Sequence, residues 1–399
     1  MIVDVGDDCT GCTACYAACP VWCIQMIENA DGFMRPRVDD AACIRCGRCR
    51  QVCPALSFPR EPAVRRSACG WHRDPLLRAG SSSGGAFAAV AGEVLKRGGV
   101  VFGAFFDPET RNVRHASTDE VALQALMRSK YVQSDVGRSF KAVRDALDSD
   151  REVLFCGTPC QVNGLNHFLA RHPKRGRLTT TDFSCHGVPS RSVFADFIGE
   201  LESAHQSPVA EINFRSKVNG WKRSTIVASF QNGREWRIPN GQSTYYRGFL
   251  DNFYLAPCCY ACEHNAKHSS DLILADFWGW RRFDESLADD DLGLSLVLSN
   301  SERGDHILDE LGSVFECREV PLEFSRYCLG GLGKRRLKYR HRYDKYFRDY
   351  HVRGYTVANR KHIRTGRFAM FVRKVARVWR TGVCAFIKRK LKDLLAAKR

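Results

Sequence analysis

The 399-residue sequence predicts an α+β chain in three parts: a small cysteine-built module, a larger mixed α/β body and a basic helical tail. Three observations carry this. One cysteine spacing occurs twice in the first 58 residues, helix-period and strand-period segments then alternate, and the last 66 residues gather the positive charge. With 44% apolar residues the chain has core enough for two or three domains of roughly 100–200 residues. The expected boundaries are 1–58 for the module, 69–150 and 151–330 for the two parts of the body, and 331–399 for the tail.

In the module, Cys9-x2-Cys12-x2-Cys15-x3-Cys19-Pro20 is repeated 34 residues on as Cys43-x2-Cys46-x2-Cys49-x3-Cys53-Pro54. Three thiolates at two-residue gaps wrap three corners of a cubane, while the fourth, before proline, reaches the other copy's cluster. Cys9, Cys12, Cys15 and Cys53 are thus expected to hold one [4Fe–4S] cluster, and Cys43, Cys46, Cys49 and Cys19 the other. Tetrahedral zinc has no use for this crossing pattern. Disulfides suit neither the spacing nor the compartment: the first nine residues lack the basic and apolar regions of a signal peptide, so the 19 cysteines read as cytoplasmic metal and redox groups. Apolar side chains are few over 1–58, so the inorganic cores replace much of a hydrophobic one. Cys23 and Cys69 read as ordinary thiols. This stretch resembles the bacterial two-cluster ferredoxins.

The body opens on Ser81-Ser82-Ser83-Gly84-Gly85, which leads into a helix with apolar residues at Phe87, Val90, Ala91, Val94 and Leu95. A buried strand follows over 100–106. Main-chain N–H groups and hydroxyls at such a helix start favour a phosphate, although an ordinary N-cap gives the same letters. The pattern is neither G-x-G-x-x-G nor a P-loop. Strands at 152–156 and 179–184 end in Gly157-Thr158-Pro159-Cys160-Gln161, read as a tight turn before a helix over 162–170, and in Cys185-His186-Gly187-Val188-Pro189. Strand ends are where α/β architectures place function. Cys160, Cys185, Cys259 and Cys262 are proposed to hold a third [4Fe–4S] cluster, with structural zinc or buried free thiols as the open alternatives.

With these words assembled, residues 69–315 resemble the beta-subunit family of coenzyme F420 hydrogenases and dehydrogenases, which includes 7-hydroxymethyl chlorophyll a reductase. The matching words are 79–87, Ser129-Lys130-Tyr-Val-Gln-Ser134, 157–161, 185–189, Cys259-x2-Cys262 and Asp276-Phe-Trp-Gly279. The resemblance implies a flavoprotein fold that binds FAD and a [4Fe–4S] cluster and moves electrons to an organic substrate. It sets Ser81, Ser82, Ser83, Gly84 and Gly85 near FAD phosphates, and Lys130, Gly157, Thr158, Pro159, Gln161 and Asp276 near the cofactor. Lys130 also reads as a solvated surface lysine, and Asp276 as a turn cap. His186 reads either as a proton donor to substrate or as a histidine satisfying a local carbonyl. Some members of the family read the deazaflavin F420, but no word here is assignable to that ligand. Members with a fused two-cluster ferredoxin include some associated with surface polysaccharide synthesis, and this domain order is similar to theirs.

The implied function is an iron–sulfur, flavin-dependent oxidoreductase. It passes electrons from an external low-potential donor, such as ferredoxin or reduced deazaflavin, through clusters and FAD to a small organic substrate. The alternatives are a noncatalytic protein that delivers electrons to a partner enzyme and a membrane-associated iron–sulfur scaffold without flavin.

In the tail, 23 Lys and Arg stand against three Asp over 334–399, so the tail carries +20 and the rest of the chain −3, for a net charge of +17. Tyr339, Tyr343, Tyr346 and Tyr350 share one helical face, and Phe368, Phe371, Val375, Trp379 and Phe386 form a second stripe flanked by Lys and Arg. The pattern fits a helix on an anionic membrane or one docked on the body or on a partner protein, with nucleic acid a distant third. No run of about 18 apolar residues suggests a spanning helix. The expected location is cytoplasmic, with peripheral attachment to the cytoplasmic membrane face.

Overall fold

The computed structural model describes residues 5–58, 64–284, 286–287, 290–328 and 337–365. The strands in chain order are β1 (Ile24–Glu28), β2 (Met34–Val38), β3 (Arg66–His72), β4 (Val100–Asp107), β5 (Asn112–Ser117), β6 (Val153–Cys156), β7 (Leu178–Phe183), β8 (Val209–Ser216), β9 (Thr225–Phe230), β10 (Glu235–Pro239), β11 (Leu272–Asp276), β12 (Ser295–Ser299) and β13 (Phe315–Glu319). They form an antiparallel β1-β2 hairpin in the cysteine module, an eight-stranded sheet ordered β13-β3-β12-β11-β7-β6-β4-β5, and a three-stranded antiparallel sheet β10-β9-β8.

In the large sheet, β4, β6, β7 and β11 are parallel neighbours; β5 pairs antiparallel on one side, and on the other β12, β3 and β13 each pair antiparallel with the strand before them. The centre is covered on both faces, so β4, β6 and most of β11 read as apolar runs, while β7 buries Thr179, Thr180, Thr181 and Asp182. Side chains alternate across the pleat. Val100, Phe102, Val153 and Phe155 meet the helices Ser139–Asp148 and Pro159–Phe168 on one face, whereas Val101 and Leu154 meet the helices Ala86–Lys96 and Glu302–Glu310 on the other. Each such fully buried aliphatic contributes about 1.5–3 kcal/mol.

The cysteine module is packed into this architecture. Its short helix Ala14–Ala18 buries Ala14 and Ala17 beside Cys12 against the helix Pro159–Phe168. Gly164 makes the approach possible: a Cβ there would lie 3.0 Å from Cys12 Sγ and 3.3 Å from Ala14 Cβ. Gln133 latches the module from the body, accepting from Met34 N at 2.9 Å and donating to Thr10 O at 3.2 Å, and Arg191 pairs with Glu28 at 3.1 Å.

Of the readings open for the tyrosine stripe, docking on the body is the one observed. The helix Arg340–His362 breaks at Gly354, whose φ is 76°. It buries Tyr343, Tyr346, Phe347 and Tyr355 in a core shared with Phe33, Phe249 and Tyr254, while Tyr339 and Tyr350 pack against that core. Phe33 lies in the cysteine module, so the helix ties module to body. The second stripe, Phe368 to Phe386, lies outside the described residues. Among the described residues no helix is long and apolar enough to cross a membrane.

Candidate functional site

Each half of the cysteine repeat folds around its own hollow. Cys9, Cys12, Cys15 and Cys53 line the first, with Cys49 at its edge. Cys19, Cys43, Cys46 and Cys49 line the second. Cys23, read as an ordinary thiol, is also in the second wall, its Sγ 3.5 Å from that of Cys19. Gly11, at φ 68°, lets the loop fold tightly, since a Cβ there would meet Gln133 Nε2 at 2.6 Å and Met34 O at 2.9 Å. Burial and repulsion from Cys9 and Cys53 push the Cys15 thiol up to about 12. Such thiols ionise together only around a cationic centre, which an iron–sulfur core supplies. Among the described residues no three His, Cys, Asp or Glu converge as a single chelated ion requires. The thiols ring a volume instead.

The words Gly157 to Gln161 prove to be the first turn of a helix, not a turn ahead of it. Thr158 is the N-cap, Pro159 the first helical residue and Gln161 the return partner of a capping box. Gln161 Oε1 accepts from Thr158 N at 2.9 Å and its Nε2 donates to Ser134 Oγ at 3.0 Å. The box fixes Cys160 in a helical first turn, where it faces a third hollow of about 250 Å3. Cys185, Cys259 and Cys262 line the same hollow, and so does Cys258, a fifth thiol that belongs to no motif. Burial and repulsion from Cys262 and Cys259 push Cys160 up to about 12, and the same causes raise Cys185. Gly187, at φ 133°, passes so close that a Cβ would sit 3.2 Å from Cys259 Cβ. Thr10 and Ala55 of the module close the opposite wall.

Beyond Cys185 lies a larger cavity of about 650 Å3, inside the roughly 300–1,000 Å3 range of cofactor sites. Ser81, Ser82, Ser83, Gly85, Lys130, Gly157, Thr158, Gln161, His186 and Asp276 line it. Gly84 and Pro159 are not in its wall. Gly84 packs on the sheet, where a Cβ would meet Gly70 O at 2.3 Å, and Pro159 faces the third hollow. Gly85, at φ 94°, caps the 11-residue helix Ala86–Lys96, whose positive end opens here. The serine loop is held from beneath: Lys217 Nζ donates to Arg78 O and Ser83 O, each at 2.6 Å, and Ser82 Oγ accepts from Ser129 N at 2.9 Å. Ser83 spends its own hydroxyl on Leu294 O.

Lys130 is no solvated surface lysine. Its ammonium donates to the carbonyls of Ala125, at 2.7 Å, and Met127, and burial reinforced by Arg128 brings it down to about 7. Asp276 is engaged with Arg215, whose Nη1 and Nη2 reach its two carboxylate oxygens at 2.8 and 3.2 Å, and with Trp221 Nε1 at 3.2 Å. It fixes a buried guanidinium in the wall rather than capping a turn. Trp221 in turn stacks on the half-exposed Trp278 at 4.1 Å between centroids. His186 stands in the wall shared with the third hollow, edge-on to Phe249 at 4.8 Å.

Two wall residues escaped the sequence reading. His115 stacks on Phe155 and approaches Cys156 O through Nε2 at 3.2 Å, and burial lowers it to about 4, so it stays neutral near pH 7 and its Nε2 carries the proton. Arg215, from β8, reaches the cavity only because the small sheet folds over it. Neither lies in a motif, and only the topology brings them in.

The hollows adjoin in sequence. Cys49 lines the second and the first, Thr10 the first and the third, and Thr158 with Cys185 to Val188 the third and the large cavity.

Comparison with known proteins gives two family matches. Residues 150–321 match the family described as the carboxy-terminal part of the coenzyme F420 hydrogenase/dehydrogenase beta subunit, and residues 8–56 match the 4Fe-4S dicluster domain. An uncharacterized protein of the rpl9-rpl11 intergenic region of Porphyra purpurea is 40% identical over 70 residues, spanning 16% of this chain and 89% of its own length. Among solved structures, a chain of the F420-reducing [NiFe] hydrogenase complex from Methanosarcina barkeri, determined as a xenon derivative, aligns at a TM-score of 0.47 and 14% identity, covering 73% of this chain and 92% of that one.

Proposed function

We propose, for a chain that belongs over residues 150–321 to the coenzyme F420 hydrogenase/dehydrogenase beta-subunit family and carries a 4Fe-4S dicluster domain over 8–56, a flavin-dependent iron–sulfur oxidoreductase. Electrons from a low-potential donor pass through two clusters in the module and a third in the body to FAD, and from there to a small organic substrate. Polysaccharide biosynthesis is the setting suggested by the fused domain order. The observation that carries this reading is the unbroken succession of thiol-lined hollows ending at a cavity large enough for a cofactor.

The residues divide the work by chemistry. Cys9, Cys12, Cys15 and Cys53 hold the first cluster; Cys19, Cys43, Cys46 and Cys49 the second; Cys160, Cys185, Cys259 and Cys262 the third. The serine loop and the positive end of the helix Ala86–Lys96 bind phosphate. Arg215, locked by Asp276, presents fixed guanidinium N–H groups to the large cavity, and His186 offers its imidazole beside both the third hollow and the large cavity. Bound flavin supplies the exchange between one-electron and two-electron chemistry that clusters lack. The wall of Thr158 and residues 185–188 separates the third hollow from the large cavity by a single layer of residues.

Substitution of one ligand tests the order of the relay. Cys185→Ser is expected to lower iron by about four atoms per chain and to abolish reduction of bound flavin by dithionite-reduced module clusters, with those clusters retained. Flavin that is still reduced at the wild-type rate contradicts the reading.

A further inference from the structure

We propose that the surface around the second thiol hollow is the docking site of a small acidic electron-carrier protein. The inference rests on the relay proposed above and names where its reductant arrives. The second hollow is the end of the succession farthest from the large cavity, reaching the third only by way of the first. Its wall is thin: Cys46 is exposed, and Val21, Trp22 and Ile44 are 38%, 52% and 61% exposed. An apolar group left open together at the mouth of a redox site is a contact surface.

The charge around it is predominantly positive. Arg45, Arg48 and Arg50 are exposed, and among the described residues none of the three makes an ion pair; the exposed Asp39 and Asp40 stand just before this stretch, so the arginines outnumber the nearby carboxylates. The contrast is with Arg78, Arg191 and Arg215, each paired to a carboxylate. On the other flank, Lys141 Nζ sits 2.8 Å and Arg138 Cζ 5.6 Å from the Trp22 ring centroid. Trp22 and Arg45 both hold left-handed backbone, at φ 56° and 54°, a conformation costly for a bulky side chain. Arg45 takes the place of Gly11 in the first repeat, so the turn of the cysteine loop carries its guanidinium to the rim.

An apolar centre within a cationic rim fits a transient redox encounter: charge steers the approach, and the small contact lets the carrier leave. The occupant is acidic because the rim carries an excess of positive charge. A second copy of this chain would set like charges against each other across a two-fold contact, and a lipid surface supplies no electrons.

The experiment uses the full chain, purified anaerobically, with a reduced acidic plant-type [2Fe–2S] ferredoxin as the probe and dithionite as a reductant that needs no docking. Stopped-flow reduction of the chain's clusters is followed at several salt concentrations for wild type, Arg45→Glu with Arg48→Glu, Trp22→Ala and the charge-preserving Arg48→Lys. Expected are a second-order rate that falls with salt, a drop of roughly tenfold or more on charge reversal, a smaller drop for Trp22→Ala, wild-type behaviour for Arg48→Lys, and unchanged reduction by dithionite throughout. Equal ferredoxin rates in wild type and the charge-reversed chain, with dithionite reducing both, overturn the docking site alone. Binding of anionic vesicles that the same reversal abolishes while the ferredoxin rate stands also overturns it. A wild-type chain without dithionite-reducible clusters overturns the relay, and the docking role falls with it.

Discussion

Asp276 and Arg215 are the residues on which the large cavity depends most visibly for its shape. Both are largely buried, with side chains 19% and 8% exposed, and each is the other's main compensation. Removing one charge leaves the other stranded in low dielectric, so Asp276→Asn is expected to cost about 3–5 kcal/mol in denaturant unfolding and to weaken flavin retention. A loss under about 1 kcal/mol, the scale of a turn or helix cap, would return Asp276 to the capping role. Lys130 makes a prediction with a sign. Its folded value is lowered to about 7 from an ordinary 10.5, so between those values the unfolded chain holds a proton that the folded chain has released. Stability then rises with pH over that window. Relative to Lys130→Met, the wild type is expected to gain stability from about pH 7 towards pH 10; a flat or falling difference contradicts the burial argument.

At this scale the chemistry of cysteine was readable and that of the polar wall was not. Eight thiols at fixed spacing declare their purpose through arithmetic alone, whereas the letters of Thr158 and Gln161 carry a capping box that fits any helix. Family likeness grouped Gln161 and Asp276, and both line the large cavity, but their partners, Ser134 and Arg215, come from distant segments. His115 has no sequence signal at all: an isolated histidine on the short mixed strand β5 is indistinguishable from a core residue until the sheet closes around it.

Among the elements, the helix Pro159–Phe168 does three jobs: its first turn presents Cys160, one flank packs on β4 and β6, and Gly164 receives the module. Alanine at Gly164 sets a helix-propensity gain of up to about 1 kcal/mol against a contact that needs only tenths of an ångström of yielding. Leucine leaves no such balance. Gly164→Leu is expected to cost about 1–3 kcal/mol by overpacking and to slow electron passage from module to body, with all clusters assembled. Unchanged flavin reduction kinetics would show that this contact does not set the path. The helix Arg340–His362 is a second strut. Tyr346, fully buried among Phe253, Tyr254 and Phe347, is expected to cost about 3–5 kcal/mol when cut to alanine, as buried aromatics do, read as a lower denaturation midpoint. Periodicity located the helices and most strands at the sheet's centre, because β4 and β6, covered on both faces, have unmistakable apolar runs, although β7 is a run of buried threonines. The tail's stripe was equally plain, but a stripe announces only that something covers it. The cover is Phe33 of the module together with the body, a contact joining residues more than 300 apart, and no local pattern encodes that.

For the molecule as a whole, the account is one of adjacency. A module with little hydrophobic core of its own is wedged between the helix Pro159–Phe168 and the tail helix, and its inner hollow touches the thiols of the body through Thr10. The parts are familiar singly; their order in space, from an exposed cationic rim to a large cavity lined by serine, histidine and arginine, gives the chain a direction. If the relay exists, its inorganic and organic members must be present together in fixed proportion. Anaerobic purification with iron, acid-labile sulfide and flavin measured on the same sample is the most direct test. Three clusters beside one cofactor predict about twelve iron, about twelve sulfide and one FAD per chain; about eight iron with no flavin, or zinc in place of iron, would contradict the account.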